Sequence, residues 1–345
     1  MLLERAPIGA VEAVAALAGM QAQEPRPPFV GLWSRLEDFR PEELLDALRG
    51  GALLRGPLFR ATLHMVTDTD WPAFRPPCQA ALSRALRVLG ARAETIDLDR
   101  LTVTARAILA ERPRTSGELR VLLHEAFPDE DERALGYAVR MHVPLVMLPT
   151  DDPWGFPRDP ELRLAETADD SADARGLVRR YLAAYGPASV ADAQEWSGLS
   201  GLAPAFEELR ADLETFADER GRELFDLPEA PRPDAEEPAP ARFLPEFDNL
   251  VLAHADRSRL IADEHRRHLT TKNLRVRATV FFDGQACATW SVKRTTRTAT
   301  LEITPFHRLT AAARRALEAE GSALLEANEP GTTLHDVVVG GPAPR

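Results

Sequence analysis

The stretch PEELLDALRGGALLRGPLFRATLHMV, residues 41–66, changes its period halfway along. Pro41 stands where a first helical position needs no backbone N–H, and it opens a helix over Glu42 to Arg49. Gly50-Gly51 breaks that helix, and LLRGPLFRATLHMV then alternates. Phe59, Ala61, Leu63 and Met65 face one way, and Arg60, Thr62 and His64 the other, the pattern of a half-buried strand. Upstream, Phe29, Leu32, Trp33 and Leu36 mark another helix. Before it, Ile8, Val11, Val14, Ala15, Leu17 and Ala18 form the apolar stripe of a first helix over Ile8 to Met20. This first helix is expected to stop near Gln21-Ala22-Gln23, ahead of Pro25 and Pro27. Three short helices followed by strands outline a winged helix, assigned to residues 1–90.

The outline recurs twice. Leu101 to Glu111 reads as a helix, and Thr115-Ser116-Gly117-Glu118 is a capping box opening LRVLLHEAF. Glu130 to Met141 supplies a third helix, apolar VPLVML leads to a turn at Asp151-Asp152-Pro153, and WGFPRDPELRL closes a hairpin-like wing. That is the second unit, 91–168. A third, 169–228, has a helix from Gly176 to Tyr185, Ser189 as cap of a helix reaching Trp196, a helix within Gly198 to Leu213, and strands at Thr215-Phe216 and Leu224-Phe225. The Pro- and acid-rich stretch 229–247 reads as an exposed linker. Beyond it LVLAHADRSRLI, VRATVFFDG, QACATWSVKR and TATLEITPF alternate, with Asp283-Gly284 as a hairpin turn. A helix from Leu309 to Asn328 and a strand from Thr332 to Val339 complete a small β-barrel-like domain over 248–345. The fold class expected is therefore α+β.

Composition bounds the function. With 345 residues, 44% hydrophobic and 28% charged, the chain can bury its own cores, which excludes disordered, collagen-like and disulfide-scaffold classes. No stretch approaches about 18 uncharged apolar residues, the length of a spanning helix. The N-terminal run MLLERAPIGAVEAVAALAGMQAQ imitates a signal peptide, but Glu4 and Glu12 interrupt it and favour an amphipathic helix. Cys78 and Cys287 stand far apart with no CxxC, so neither a disulfide framework nor a cysteine zinc site is indicated, and the chain is expected in the cytoplasm. The net charge of −12 argues at face value against a nucleic-acid partner. Its distribution does not: residues 201–250 hold 14 acids and 5 bases, residues 251–315 hold 5 acids and 13 bases. Apart from Lys272 and Lys293, every basic residue is arginine. Codon bias in a GC-rich genome gives that count, but guanidinium forks also suit phosphates and guanine edges.

Several familiar sites are missing. The sequence contains no GxGxxG, GxxxxGK[ST], GxSxG, HExxH or HxxxH, so nucleotide cofactors and paired-histidine zinc have no support. His265 and His268 are spaced i, i+3, but Arg266 and Arg267 between them would repel a dication. The acid run Asp129 to Glu132 reads as a helix cap, where carboxylates favour the dipole. Gln21-Ala22-Gln23 is different in kind. Two carboxamides at i and i+2 can point into one cavity and hold a water and a leaving group in line without charge.

The runs LAGMQAQEPRPPFVGLWSRL and LLRGPLFRATLHMVT, with YLAAYGPASVADAQEWSGL and LPEFDNLVLAHADRSRLI further on, resemble the AlkZ-like winged-helix DNA glycosylase family over nearly the whole chain. The resemblance implies tandem winged helices and a β-barrel in a C-shaped clamp on DNA, working as a monomer without cofactor or metal. It implies that Gln21 and Gln23 position the water attacking C1′ of a nucleotide with an alkylated base, in a monofunctional reaction. The partner would be double-stranded DNA carrying an alkylated purine, at the nucleoid in the cytoplasm. A cationic N7-alkylpurine leaves without a general acid, so two neutral amides can serve, and the range can extend to bulky or interstrand-crosslinked lesions. The face Arg60, Thr62 and His64 is expected to line the same cleft and Arg55 to contact a phosphate, with Trp33 and Trp154 as packing residues. The family usually has a helical stretch before the position of Leu2, so either the natural start lies upstream or the cavity wall near Gln21 is thinner. The competing readings are a non-catalytic winged-helix DNA-binding regulator, against which the mixed, acid-rich Glu130–Met141 and Gly198–Leu213 weigh, and an interaction protein using its acidic segment.

Overall fold

The computed structural model describes residues 1–167, 173–234, 236–271 and 275–343. Lys272, the expected boundary at 168/169 and the last two residues of the expected C-terminal domain lie outside the described residues. The chain opens with α1 (Ala10–Ala16), β1 (Met20–Gln21), α2 (Pro27–Trp33), α3 (Pro41–Arg49), β2 (Leu53–Pro57), β3 (Leu63–Thr67) and α4 (Trp71–Ala85). Next come α5 (Leu98–Glu111), β4 (Arg114–Thr115), α6 (Ser116–Ala126), α7 (Glu132–His142), β5 (Leu145–Met147) and β6 (Glu161–Leu164). Then follow α8 (Ala174–Tyr185), α9 (Val190–Ser197), α10 (Ala203–Leu209), β7 (Glu214–Ala217) and β8 (Glu223–Asp226). The last part has β9 (Arg242–Leu244), α11 (Asn249–Leu252), β10 (Thr279–Phe282), β11 (Gln285–Arg294), β12 (Thr298–Pro305), α12 (Ala311–Asn328) and β13 (Leu334–Val339).

These elements form two compact units, one of residues 1–10, 26–40 and 231–345, the other of residues 11–25 and 41–230. Residues of the expected first domain are thus shared, with α2 belonging to the unit that holds the C-terminus.

In the larger unit, the hairpins β2–β3 and β5–β6 join at Arg55↔Met147 into one six-stranded sheet of order β1-β3-β2-β5-β6-β4. Below it α5, α6 and α7 bury Leu101, Leu109, Leu119, Leu123, Leu135 and Val139. The helix starts are written in the sequence. Thr115 and Glu118 make the expected capping box, Asp131 caps α7 through Ala134 N, and Ser189 with Asp192 caps α9. Each such cap contributes about 1 kcal/mol. Two readings are corrected here. The alternation over 58–65 is not one strand, because Phe59–Ala61 form a tight turn in which Arg60 and Ala61 both take φ of 54°. The helix expected within Gly198 to Leu213 shortens to α10, since Gly198 and Gly201 adopt left-handed backbone.

The smaller unit carries a five-stranded sheet of order β13-β12-β11-β10-β9, antiparallel except where β12 and β13 run parallel. It is an open sheet with β9 and β13 as its edges, not a closed barrel. α12 lays Leu317, Leu324 and Leu325 against Phe243, Leu301 and Ile303. Asp283-Gly284 turns β10 into β11 with both φ positive, the backbone a two-residue hairpin needs. LVLAHADRSRLI is no strand. Asp248 caps Leu250 N and starts α11, and bends and turns follow. The expected linker is exposed only in its first part, because Arg242–Leu244 is a fully buried strand.

Candidate active site

The segment carrying the two glutamines leaves its helix earlier than the apolar stripe suggests. α1 ends at Ala16, and Ala18 and Gly19 turn the chain with φ of 49° and 92°. Met20 and Gln21 then pair antiparallel with Met65 and His64, and Ala22 N donates to Leu63 O at 2.7 Å. Gln21 ends this strand, and Gln23 stands two residues on, in the bend that follows. Both carboxamides are held by their oxygens. Arg60 Nη2 donates to Gln21 Oε1 at 2.7 Å, and Leu63 N donates to Gln23 Oε1 at 3.2 Å. Guanidinium and backbone N–H groups can only donate, so these contacts fix which end of each amide is oxygen. Gln21 is buried and Gln23 is exposed.

Arg60 reaches Gln21 from the turn between β2 and β3. Its Nη1 donates to Trp196 O at the end of α9, and its Nη2 lies 3.4 Å from His64 Nε2. Gly198 makes this possible, since a Cβ there would stand 2.9 Å from Arg60 Cα. His64 is buried, with Nδ1 at 3.2 Å from Thr62 O. That carbonyl requires an N–H on Nδ1 and leaves Nε2 to accept from Arg60. Burial, with the charge of Arg60 beside it, holds the His64 pKa well below the usual 6.5, so the ring is neutral. Thr62 turns back on Phe59 O at 3.0 Å and stays half-buried.

Arg55 lies inside, not at the surface where a phosphate contact would need it. It is 4% exposed, its Nε donates to Ala22 O at 2.9 Å and its Nη2 to Gln23 O at 3.2 Å, and it lies over Phe156. Burial lowers its pKa to about 10, with Glu24 acting in opposition. It therefore remains charged and braces the backbone of the glutamine segment from below.

Other supports come from residues far away in sequence. Tyr185 OH donates to Leu17 O at 2.9 Å, and Arg180 Nη2 donates to Ala15 O and Asp70 Oδ2. Arg84 Nη2 donates to Gly198 O at 2.7 Å. Phe59 packs on Trp196 with ring centroids 4.2 Å apart, and Trp196 in turn on Tyr181 at 5.1 Å. The capping box at Ser189 was legible and places Trp196, but no motif joins α8 and α9 to the glutamines. Trp154 is half-buried beside the Asp152 turn, its backbone N–H donating to Asp152 Oδ1, and Trp33 lies under Arg5 in the other unit. Among the described residues no three His, Cys, Asp or Glu side chains are placed to hold a metal ion, and no helix is long and apolar enough to cross a membrane.

The arrangement is two neutral amides at and just past the end of β1, each fixed by a donor, with a neutral imidazole and a guanidinium beside Gln21. The AlkZ-like family model, described as DNA glycosylase AlkZ-like, matches residues 14–327. No curated protein matches the sequence. Among solved structures, the Streptomyces sahachiroi DNA glycosylase AlkZ is similar with a TM-score of 0.79. The two chains are 21% identical, and the match covers 98% of this chain and 95% of that one. That likeness is one of fold, whereas the family match spans the glutamine strand, its supports and most of the open sheet. The chain belongs to the AlkZ-like DNA glycosylase family.

Proposed function

We propose that this DNA glycosylase hydrolyses the N-glycosidic bond of cationic N7-alkylpurine nucleotides in duplex DNA, with Gln21 and Gln23 as its catalytic pair. The observation that carries the reading is the fixed orientation of both carboxamides. Gln23 Oε1 has a second lone pair after accepting from Leu63 N, and it is exposed enough to take an O–H of the attacking water. Gln21, buried and held by its oxygen, stands two residues away as an uncharged carboxamide. An N7-alkylpurine carries its positive charge before the bond breaks and leaves neutral, so no acid is required of the protein. What remains is to orient water and tolerate an oxocarbenium-like sugar. Arg55 and Arg60 are positioning residues, one bracing the strand and one aiming Gln21. His64 and Thr62 line the same side of the site.

The three helix-and-hairpin segments, 1–90, 91–168 and 169–228, are read as winged-helix modules presenting DNA to this strand. Their common support is that each contains an antiparallel pair after its first helices, β2–β3, β5–β6 or β7–β8, although in the first segment α4 follows the pair. The test is base release from oligonucleotides bearing one N7-methylguanine or one bulkier N7 adduct, followed by alkaline cleavage. Wild type is expected to release base, and Gln21→Ala and Gln23→Ala to lose release while binding DNA within about tenfold of wild type, or about 1.4 kcal/mol. Normal release by both variants would remove the glutamines from the mechanism. Binding by wild type without release from either substrate would favour a non-catalytic DNA-binding regulator.

A further inference from the structure

A cavity of about 580 Å³ lies between α6, α7 and the loop before β6, sharing no lining residue with the glutamine site. Arg120, Arg133, Tyr137, Arg140 and Arg158 line it, and Asp159 is its one acid. On α7, Arg133, Gly136, Tyr137 and Arg140 fall at i, i+3, i+4 and i+7, which is one face of a helix. The acids that make this region look acidic in sequence, Asp131 and Glu132, sit at the start of α7 as its cap and first turn. The face toward the cavity is basic. Gly136 is bare because a Cβ there would stand 2.8 Å from Arg120 Cγ, so the glycine gives Arg120 its path across α7.

The counter-charges do not suffice. Asp159 accepts from Ser116 N and Gly117 N at 3.0 and 3.1 Å, and Arg120 meets Glu132 only at 3.7 Å. Among the described residues Arg133, Arg140 and Arg158 have no carboxylate within ion-pair distance. By contrast Arg210, on an exposed surface, is paired with both Glu207 and Glu223. Arg140 is half-buried, and burial opposes its charge, with Tyr137 and Asp159 the nearest relief. Several like charges gathered in one concavity repel one another unless an anion joins them. Arg133 and Arg140 are separated by seven residues of helix, about 10 Å of rise, more than one phosphate spans. A chain of phosphates fits that stripe better than a single ion.

We propose that this arginine groove takes the phosphodiester backbone of the duplex as a second DNA contact, away from the segment that carries Gln21 and Gln23. The inference rests on DNA being the partner, and on nothing about the catalytic pair.

The test is binding of an undamaged fluorescent duplex by anisotropy between about 50 and 200 mM salt. Arg133→Ala/Arg158→Ala removes two exposed side chains, so folding, checked by circular dichroism, should survive. Each lost phosphate contact lowers the slope of log affinity against log salt by about 0.9, so the double variant should lose about 2. Its affinity should fall by an order of magnitude or more at the lower salt. Arg133→Lys/Arg158→Lys should keep most of the slope, since lysine still supplies a point charge. Arg210→Ala should leave it as in wild type. A double alanine variant with wild-type slope and affinity overturns the proposal, and so does a lysine variant that loses as much as the alanine one. Because undamaged DNA is used and no excision is read, failure here leaves the glutamine assignment standing, and failure of that assignment leaves this one.

Discussion

At the scale of single residues the balance of the site turns on His64. It is buried between Phe59 and Arg60, with a ring that donates to Thr62 O and a pKa held well below 6.5 by burial and then by Arg60. In the unfolded chain the same ring binds a proton as pH falls through 6.5. The folded state stays neutral there, so the unfolded state gains protons first and stability is lost as pH drops. The contribution is fully present above pH 6.5. Between pH 7 and pH 5 its loss is at most about 2 kcal/mol. Urea unfolding at both pH values should therefore show a steeper loss in wild type than in His64→Gln, whose neutral amide can accept from Arg60. Parallel losses in the two proteins would mean that His64 does not set the acid limb. Legibility of the site divides at this same scale. Gln21, Gln23, Arg60, Thr62 and His64 stand within 44 residues of one another, but Arg60 meets Gln21 and His64 from a tight turn and not from the expected strand. Arg55 is expected at the surface but lies buried, because alternation alone does not reveal that Phe156 covers it. Tyr185 is 168 residues from its partner Leu17, and no local pattern encodes such a contact.

At the scale of elements, α2 shows what joins separate stretches of sequence. Arg35, two residues past its end, makes a bidentate pair with Asp248 at 2.9 Å for both bonds, and both side chains are 2% exposed. Asp248 also caps α11, and Ser34 Oγ donates to Phe243 O at 2.5 Å. Thus the Asp of LPEFDN is one end of a buried ion pair and a helix start in one residue. Removing one partner strands a buried charge, so Asp248→Asn or Arg35→Met alone should cost about 3–5 kcal/mol in chemical denaturation. Removing both, as Arg35→Met/Asp248→Leu, should recover much of that loss. A double variant no more stable than the worse single one would show that packing, not charge, is at stake. Elements with a local chemical cause were legible: Pro41 at the start of α3, the two capping boxes and the Asp283-Gly284 turn all stand where the residues put them. Elements decided by distant partners were not. The β2–β3 turn hides in a perfect alternation because Arg60 and Ala61, neither of them glycine, take positive φ, with Arg60 set against Trp196 and Gly198. β9 hides in a proline-rich stretch because it is a strand only once Phe243 has α12 to pack against.

At the scale of the whole molecule, chain order and unit membership disagree, and that has a measurable consequence. The smaller unit is assembled from residues 1–10, 26–40 and 231–345, so its N-terminal and C-terminal parts are held together without a continuous chain between them. The bonds are of several kinds. Besides Arg35 with Asp248, Arg5 pairs with Glu320 at 2.7 Å, Arg26 pairs with Glu329, and Val30 is buried in the cluster of Phe243 and Leu301. Residues 231–234 and 236–238 are exposed and carry no helix or strand. A site-specific protease sequence inserted between Pro233 and Asp234 should therefore be cut in the folded protein, since exposed backbone outside helix and strand is what proteases reach. The two fragments should then co-elute in native gel filtration at the size of the uncut chain. They should separate only in denaturant, because the ion pairs and apolar contacts between residues 1–40 and 241–329 outlast the nick. Arg35→Met should loosen the nicked pair first, so that it dissociates at lower urea than the nicked wild type. Fragments that part on dilution in native buffer would show that residues 1–10 and 26–40 do not bind the C-terminal sheet on their own strength, and that the unit depends on the intact chain to stay assembled.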